Sequence, residues 1–136
     1  MSYFLAKTDP ETYSIDDLER EKQTTWDGVT NPQAVAAIKR MKPGDKVFVY
    51  HSGGVSGVVG LAAVHSEPRA DPKNAKSAVV DLEFITRLEP GATLKEIKDS
   101  GKFADWALVR QGRLSTMEAP ASFVAWMKAK HPTAGI

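Results

Sequence analysis

A chain of 136 residues that is 42% hydrophobic and 26% charged has the size and composition of one ordinary globular domain, which excludes disordered, fibrous and repeat architectures. A formal net charge of +1, with a pI near 8.0, excludes bulk electrostatic coating of nucleic acid, so any such contact has to come from a local site. The absence of cysteine removes disulfides, thiolate nucleophiles and Cys-based zinc sites together, and the dispersed His51, His65 and His131 argue against a histidine metal cluster, so neither a metal nor a cofactor is expected.

Tyr3-Phe4-Leu5-Ala6-Lys7-Thr8 reads as a buried strand that stops at Asp9-Pro10, because proline constrains its predecessor and has no amide proton to donate. Ser14 stands three residues ahead of Asp17, a capping-box spacing that predicts a short helix ending before Thr24. Asn31-Pro32 fits an N-cap followed by the first helical residue, with Val35, Ile38 and Met41 on one face and Lys39, Arg40 and Lys42 elsewhere. Pro43-Gly44-Asp45 is a turn. Lys46 to His51 is apolar on both parities, which predicts a strand covered on both faces. Gly53-Gly54 supplies the connection to a second strand from about Gly57 to His65, whose glycines suggest bulges or tight curvature.

Pro68 to Lys76 reads as a polar loop and Ala78 to Leu88 as a third strand with Val80, Leu82 and Phe84 on one parity. Thr93 and Glu96 repeat the capping-box spacing and predict a helix through Lys98. The stretch from Phe103 to Arg110 is ambiguous, Arg113 to Met117 fits a returning strand, and Pro120 to Lys130 fits a helix with Phe123, Trp126 and Met127 inward. Strands outnumber helices in mixed order, so the expected fold is a single α+β domain over residues 1–136, a closed or nearly closed β-barrel with short flanking helices. The longest apolar run, near Val58 to Val64, is far below the ~20 residues of a spanning helix, and Met1 to Leu5 lacks the flanks of a signal peptide. The expectation is a soluble, cytoplasmic protein with no membrane partner.

Two segments fit neither pure core nor pure solvent. In Trp26-Asp27-Gly28-Val29-Thr30-Asn31, a flat aromatic surface precedes a donor–acceptor amide at a helix start, which is the chemistry that holds an unpaired base. The commoner roles of the same residues are a core tryptophan and an ordinary helix cap. In Tyr50-His51-Ser52, a nucleophile–base pair is disfavoured because neighbouring residues on a strand point to opposite faces. A polar strand end or a pocket rim suits these two residues better. Lys7, Arg110 and Arg113 are candidate phosphate contacts, each also readable as a solvated surface charge.

The ordered blocks Lys7-Thr8-Asp9-Pro10, Tyr13-Ser14-Ile15-Asp16-Asp17-Leu18, Thr25-Trp26-Asp27-Gly28-Val29, Asn31, Gln33-Ala34, Tyr50-His51-Ser52, Val59-Gly60, Asp71-Pro72, Leu108-Val109-Arg110-Gln111 and Arg113-Leu114-Ser115 resemble the EVE domain family over nearly the whole chain. The resemblance implies a PUA-like fold related to ASCH and YTH domains, with a pocket between the barrel and the helices at one edge. It further implies a non-enzymatic module that reads a modified base in DNA or RNA, with Trp26 stacking on the base, Asn31 bonding its edge, Lys7, His51 and Ser52 lining the rim, and Arg113 meeting a phosphate. Family members usually carry Gly-Val-Arg-Asn-Tyr-Gln where this chain has Gly28-Val29-Thr30-Asn31-Pro32-Gln33, which here removes a cation and an aromatic. A nucleoside-like small metabolite is the alternative ligand for the same pocket. An enzyme would need a catalytic base within reach of a nucleophile, and no such pair stands out.

Overall fold

Local rules set the helix starts, and pairing of distant segments sets everything else. The computed structural model describes residues 1–136. Its elements in chain order are β1 (Tyr3–Thr8), α1 (Ile15–Glu21), β2 (Gln23–Trp26), α2 (Pro32–Lys39), β3 (Lys46–His51), β4 (Gly57–Val64), β5 (Arg69–Asp71), β6 (Asn74–Thr93), α3 (Leu94–Asp99), α4 (Ala107–Arg110), β7 (Thr116–Glu118) and α5 (Ala121–Lys130). Both capping boxes form: Ser14 and Asp17 at α1, and Thr93 and Glu96 at α3, each exchange side-chain and backbone hydrogen bonds. No helix is long and apolar enough to cross a membrane.

The seven strands make one mixed sheet in the order β2-β6-β4-β3-β1-β7, with β5 added along β6. β1 and β3 are parallel, pairing Tyr3 with Lys46 through Thr8 with His51, while the other pairs are antiparallel. A parallel pair needs a long crossover. Here it consists of α1, β2 and α2, and it carries β2 to the far end of the sheet from β7. The sheet curls through register shifts at Val49/Tyr50, Val58/Gly60 and Leu61/Ala62, as the glycines of β4 suggested. It does not close. No ladder joins β2 to β7, and α2 instead packs against both β7 and β6, so side chains rather than hydrogen bonds cover that part of the seam. The fold is therefore of the expected α+β class, with its barrel left open.

Several boundaries differ from the sequence reading. The polar stretch after Pro68 contains β5 and a tight hairpin, with Asp71 opposite Asn74, so β6 begins at Asn74 and runs without interruption to Thr93. Arg113 belongs to a turn in which Leu114 N–H donates to Gln111 O at 3.0 Å, and the returning strand starts only at Thr116. Trp126 is partly exposed, its ring tilted against Phe123 at 5.8 Å. One core of 32 buried residues runs through the whole molecule.

Gly57 and Gly60 let β4 be approached from both sides. A Cβ on Gly57 would lie 2.6 Å from Ala92 O and 2.8 Å from Thr93 Cα, whereas a Cβ on Gly60 would meet the Ile15 side chain of α1. Overpacking costs about 1–3 kcal/mol. Gly57→Ala and Gly60→Ala should both lower the unfolding free energy measured in urea by that order, but only the second should be partly rescued by Ile15→Val. Strictly additive losses for Gly60→Ala and Ile15→Val would contradict the packing of α1 on β4.

Candidate functional site

The open seam holds a cavity of about 460 Å³, within the size range of small-ligand sites. Its lining comes from two directions. Lys7, Thr8 and Ser115 enter from the β1–β7 side, and Thr24 to Val29 from β2 and the loop after it, with Tyr13 and Glu21 at the two ends of α1.

Tyr13 is held at three points. Its N–H donates to Asp9 O at 2.9 Å, its carbonyl accepts from Thr8 Oγ1 at 2.7 Å, and its phenol donates to Glu21 Oε1 at 2.6 Å. Burial, reinforced by that bond to Glu21, pushes the phenol pKa up to about 12, so it remains a donor at any physiological pH. The ring meets Trp26 edge-on, with centroids 6.3 Å apart and planes at 89°. Trp26 is only 7% exposed. It forms a floor, and the half-buried Tyr13 forms the aromatic wall beside it.

Lys7 supplies the cation. Its Nζ donates to Gly112 O at 3.0 Å and sits over the Tyr50 ring at 5.4 Å, while partial burial holds its pKa below the ordinary lysine value. The bond to Gly112 ties the turn carrying Arg113 to the pocket. Across the seam, Gly28 adopts a left-handed φ of +75°, a conformation glycine tolerates best. Buried Ser77 on β6 donates its hydroxyl to Val29 O, pinning the wall from behind. Glu21 and Asp27 line the same cavity as Lys7, so it offers two carboxylate acceptors and one ammonium donor around an aromatic corner. A flat heterocycle with both donors and acceptors on its edges matches that set.

The structure brings Lys7 and Trp26 together but leaves Asn31, His51 and Ser52 outside the lining, which corrects the expected convergence of Trp26, Asn31 and Ser52. In each of Asn31, His51 and Ser52, one polar atom serves the backbone. Asn31 Oδ1 caps α2, accepting from Gln33 N–H at 2.8 Å and Ala34 N–H at 3.2 Å. His51 Nε2 accepts from Ile15 N–H at 3.0 Å, and Ser52 Oγ donates to Thr8 O at 3.3 Å. His51 and Ser52 therefore face separate partners and form no dyad. Arg110 lies 3.8 Å from the exposed Asp105. Arg113 is exposed, and it alone among the six arginines has no carboxylate within 4.0 Å. No group of three or more His, Cys, Asp or Glu side chains is arranged to hold a metal.

Sequence reasoning missed Tyr13, Glu21, Asp27 and Ser115. The only local signal for Tyr13 was an aromatic just before the Ser14 cap, the position of a hydrophobic staple, which points to helix packing rather than to a ligand.

The EVE domain family model matches residues 2–129. Rat thymocyte nuclear protein 1 is 33% identical over 125 residues, covering 71% of this chain and 55% of that protein, so the chain spans about half of that relative's length. A hypothetical protein from Leishmania major has a similar structure, with a TM-score of 0.87 and 31% identity, covering 97% of this chain and 96% of the other. Human THYN1 protein, solved in complex with 5-methylcytosine-containing DNA, shares the fold with a TM-score of 0.86 at 24% identity, covering 96% of this chain and 98% of that one.

Burial, opposed by Asp16 and assisted by Arg87, holds the His51 pKa below its ordinary value of 6.5. A depressed histidine is neutral in the folded state, so its contribution is complete above about pH 6.5 and lost as pH falls below that value, where the unfolded chain takes up the proton first. Wild type should lose more stability than His51→Gln between roughly pH 7 and pH 5, because glutamine can accept from Ile15 N–H without titrating. Parallel stability–pH curves for the two proteins would show that His51 does not cap α1 as its neutral form.

Proposed function

The chain belongs to the EVE domain family, and on that premise we propose that it is a non-enzymatic intracellular binding module that holds a modified nucleobase of DNA or RNA in the seam cavity. The observation that carries this reading is the aromatic corner of Tyr13 and Trp26, which lines one cavity together with Lys7, Glu21 and Asp27. The base lies on the Trp26 floor along the Tyr13 ring, its amino edge directed to the carboxylates and an acceptor to Lys7. Arg113, free of any carboxylate, meets the adjoining phosphate, and Arg110 is the weaker candidate because Asp105 competes for it. The 5-methylcytosine DNA bound by the human relative supports the ligand class.

A second reading has its own support. Two carboxylates against one ammonium in the lining suit a neutral heterocycle better than an anion, so a free nucleoside-like metabolite is the competing ligand.

Thermal shift with a panel of modified nucleosides and short oligonucleotides tests both readings, since a ligand that binds only the folded state raises its stability. Base–aromatic stacking contributes ~1–3 kcal/mol per base, so Tyr13→Ala should weaken the best ligand by about fivefold or more, and Trp26→Phe should weaken it while preserving the core. Asn31→Ala should instead lower stability by about 1 kcal/mol through loss of the cap and leave affinity unchanged. Unaltered affinity in Tyr13→Ala, or loss of affinity confined to Asn31→Ala, would overturn the assignment of the seam.

A further inference from the structure

The wall of the cavity opposite Lys7 continues into a basic hairpin. Trp26 pairs with Val80 on β6, and the loop beyond it stays beside β6 because Ser77 donates to Val29 O. The residue preceding Ser77 is Lys76, so the strand that backs the pocket wall leads directly into the β5–β6 turn. That turn is braced by its own side chains. Asp71 Oδ1 accepts from Lys73 N–H at 2.8 Å and Asn74 Oδ1 accepts from Lys76 N–H at 3.0 Å, so both lysines are presented by a fixed backbone, which reduces the ordering cost of a contact.

Lys73 and Lys76 are exposed, and neither lies within 4.0 Å of a carboxylate, whereas Arg69 on the same hairpin is engaged by Asp81 at 3.0 Å. On the other side of the seam Arg113 is equally free, on the turn that Lys7 anchors through Gly112 O. Uncommitted cations thus stand behind both walls of one cavity. A free nucleoside carries no phosphate to offer these cations, while a strand whose base enters the cavity has a phosphate on each side of that base.

We infer that the β5–β6 hairpin is a second phosphate-binding surface, Lys73 and Lys76 meeting the backbone on one side of the bound base and Arg113 on the other. The ligand is then a polynucleotide strand that crosses the seam and continues beyond it. This rests on the seam being the base-binding site, and it adds which flank of the protein the rest of the strand follows. Phosphate contacts position a strand without reading it, so the hairpin sets affinity and salt dependence while the cavity sets selectivity.

The test is a salt titration, followed by fluorescence anisotropy, of a labelled single strand of about 12 nucleotides carrying one central 5-methylcytosine. Wild type is compared with Lys73→Ala/Lys76→Ala, Arg113→Ala, Tyr13→Ala and the control Lys98→Ala/Lys102→Ala, whose lysines lie in and after α3 at the other end of β6. The slope of log K against log salt should become shallower by about 0.7 for each phosphate contact removed in the hairpin variant and in Arg113→Ala, and stay at the wild-type value in the control. A hairpin variant with the wild-type slope, while Tyr13→Ala still weakens binding, would overturn the hairpin surface and leave the seam assignment standing. Failure of the strand to bind wild type, or binding indifferent to Tyr13→Ala, would overturn both.

Discussion

The parallel pairing of β1 with β3 is the constraint on which the rest of the molecule depends. Parallel neighbours cannot be joined by a hairpin, so the chain between Thr8 and Lys46 must cross over, and it uses the passage to lay down α1, β2 and α2. β2 lands on β6 at one end of the sheet while β7 pairs with β1 at the other. The two ends curl toward each other without pairing. The cavity occupies the gap left by that missing ladder, which is why its walls come from segments as distant in sequence as Lys7, Trp26 and Ser115.

The devices around the cavity are of two physical kinds. Some fix shape and touch no ligand: the Asn31 cap on α2, the His51 bond to Ile15 N–H, and the Ser77 bond to Val29 O each satisfy a backbone group that would otherwise be left unpaired at a cost. Others present chemistry to the open volume: the Tyr13 phenol tied to Glu21, the Trp26 floor, and the Lys7 ammonium over Tyr50. The first set makes the second precise in position. Arg87 belongs with the shape-fixing set, since it joins Asp16 and Glu19 of α1 to Glu89 of β6 and so holds α1 against the sheet.

What the sequence disclosed follows the range of the forces involved. Helix starts were legible because a cap is a contact across three residues, as at Ser14, Asn31 and Thr93. β3 and the core parity of β6 were legible because apolar runs and alternation are local patterns. β2 was not, since Gln23-Thr24-Thr25-Trp26 acquires strand structure only from its ladder with β6. β5 was hidden in the same way among polar residues. Within the site, Lys7 and Trp26 could be picked out by residue type. Asn31, His51 and Ser52 were picked out for the same reason, yet one polar atom of each is taken up by a backbone group. Tyr13 carried no distinguishing local signal, because its role depends on Trp26 and Glu21 arriving from the other side of α1.

Entry of ligand into the seam between Lys7 and Trp26 can be followed through amide and indole N–H resonances while titrating a single-stranded oligonucleotide that carries one 5-methylcytosine. The largest shifts should fall on the Trp26 indole and on the amides of Lys7, Gly28 and Ser115. Shifts concentrated instead on the groove lined by Tyr3, Ala121, Val124 and Lys128, with the seam resonances unmoved, would contradict entry at the seam.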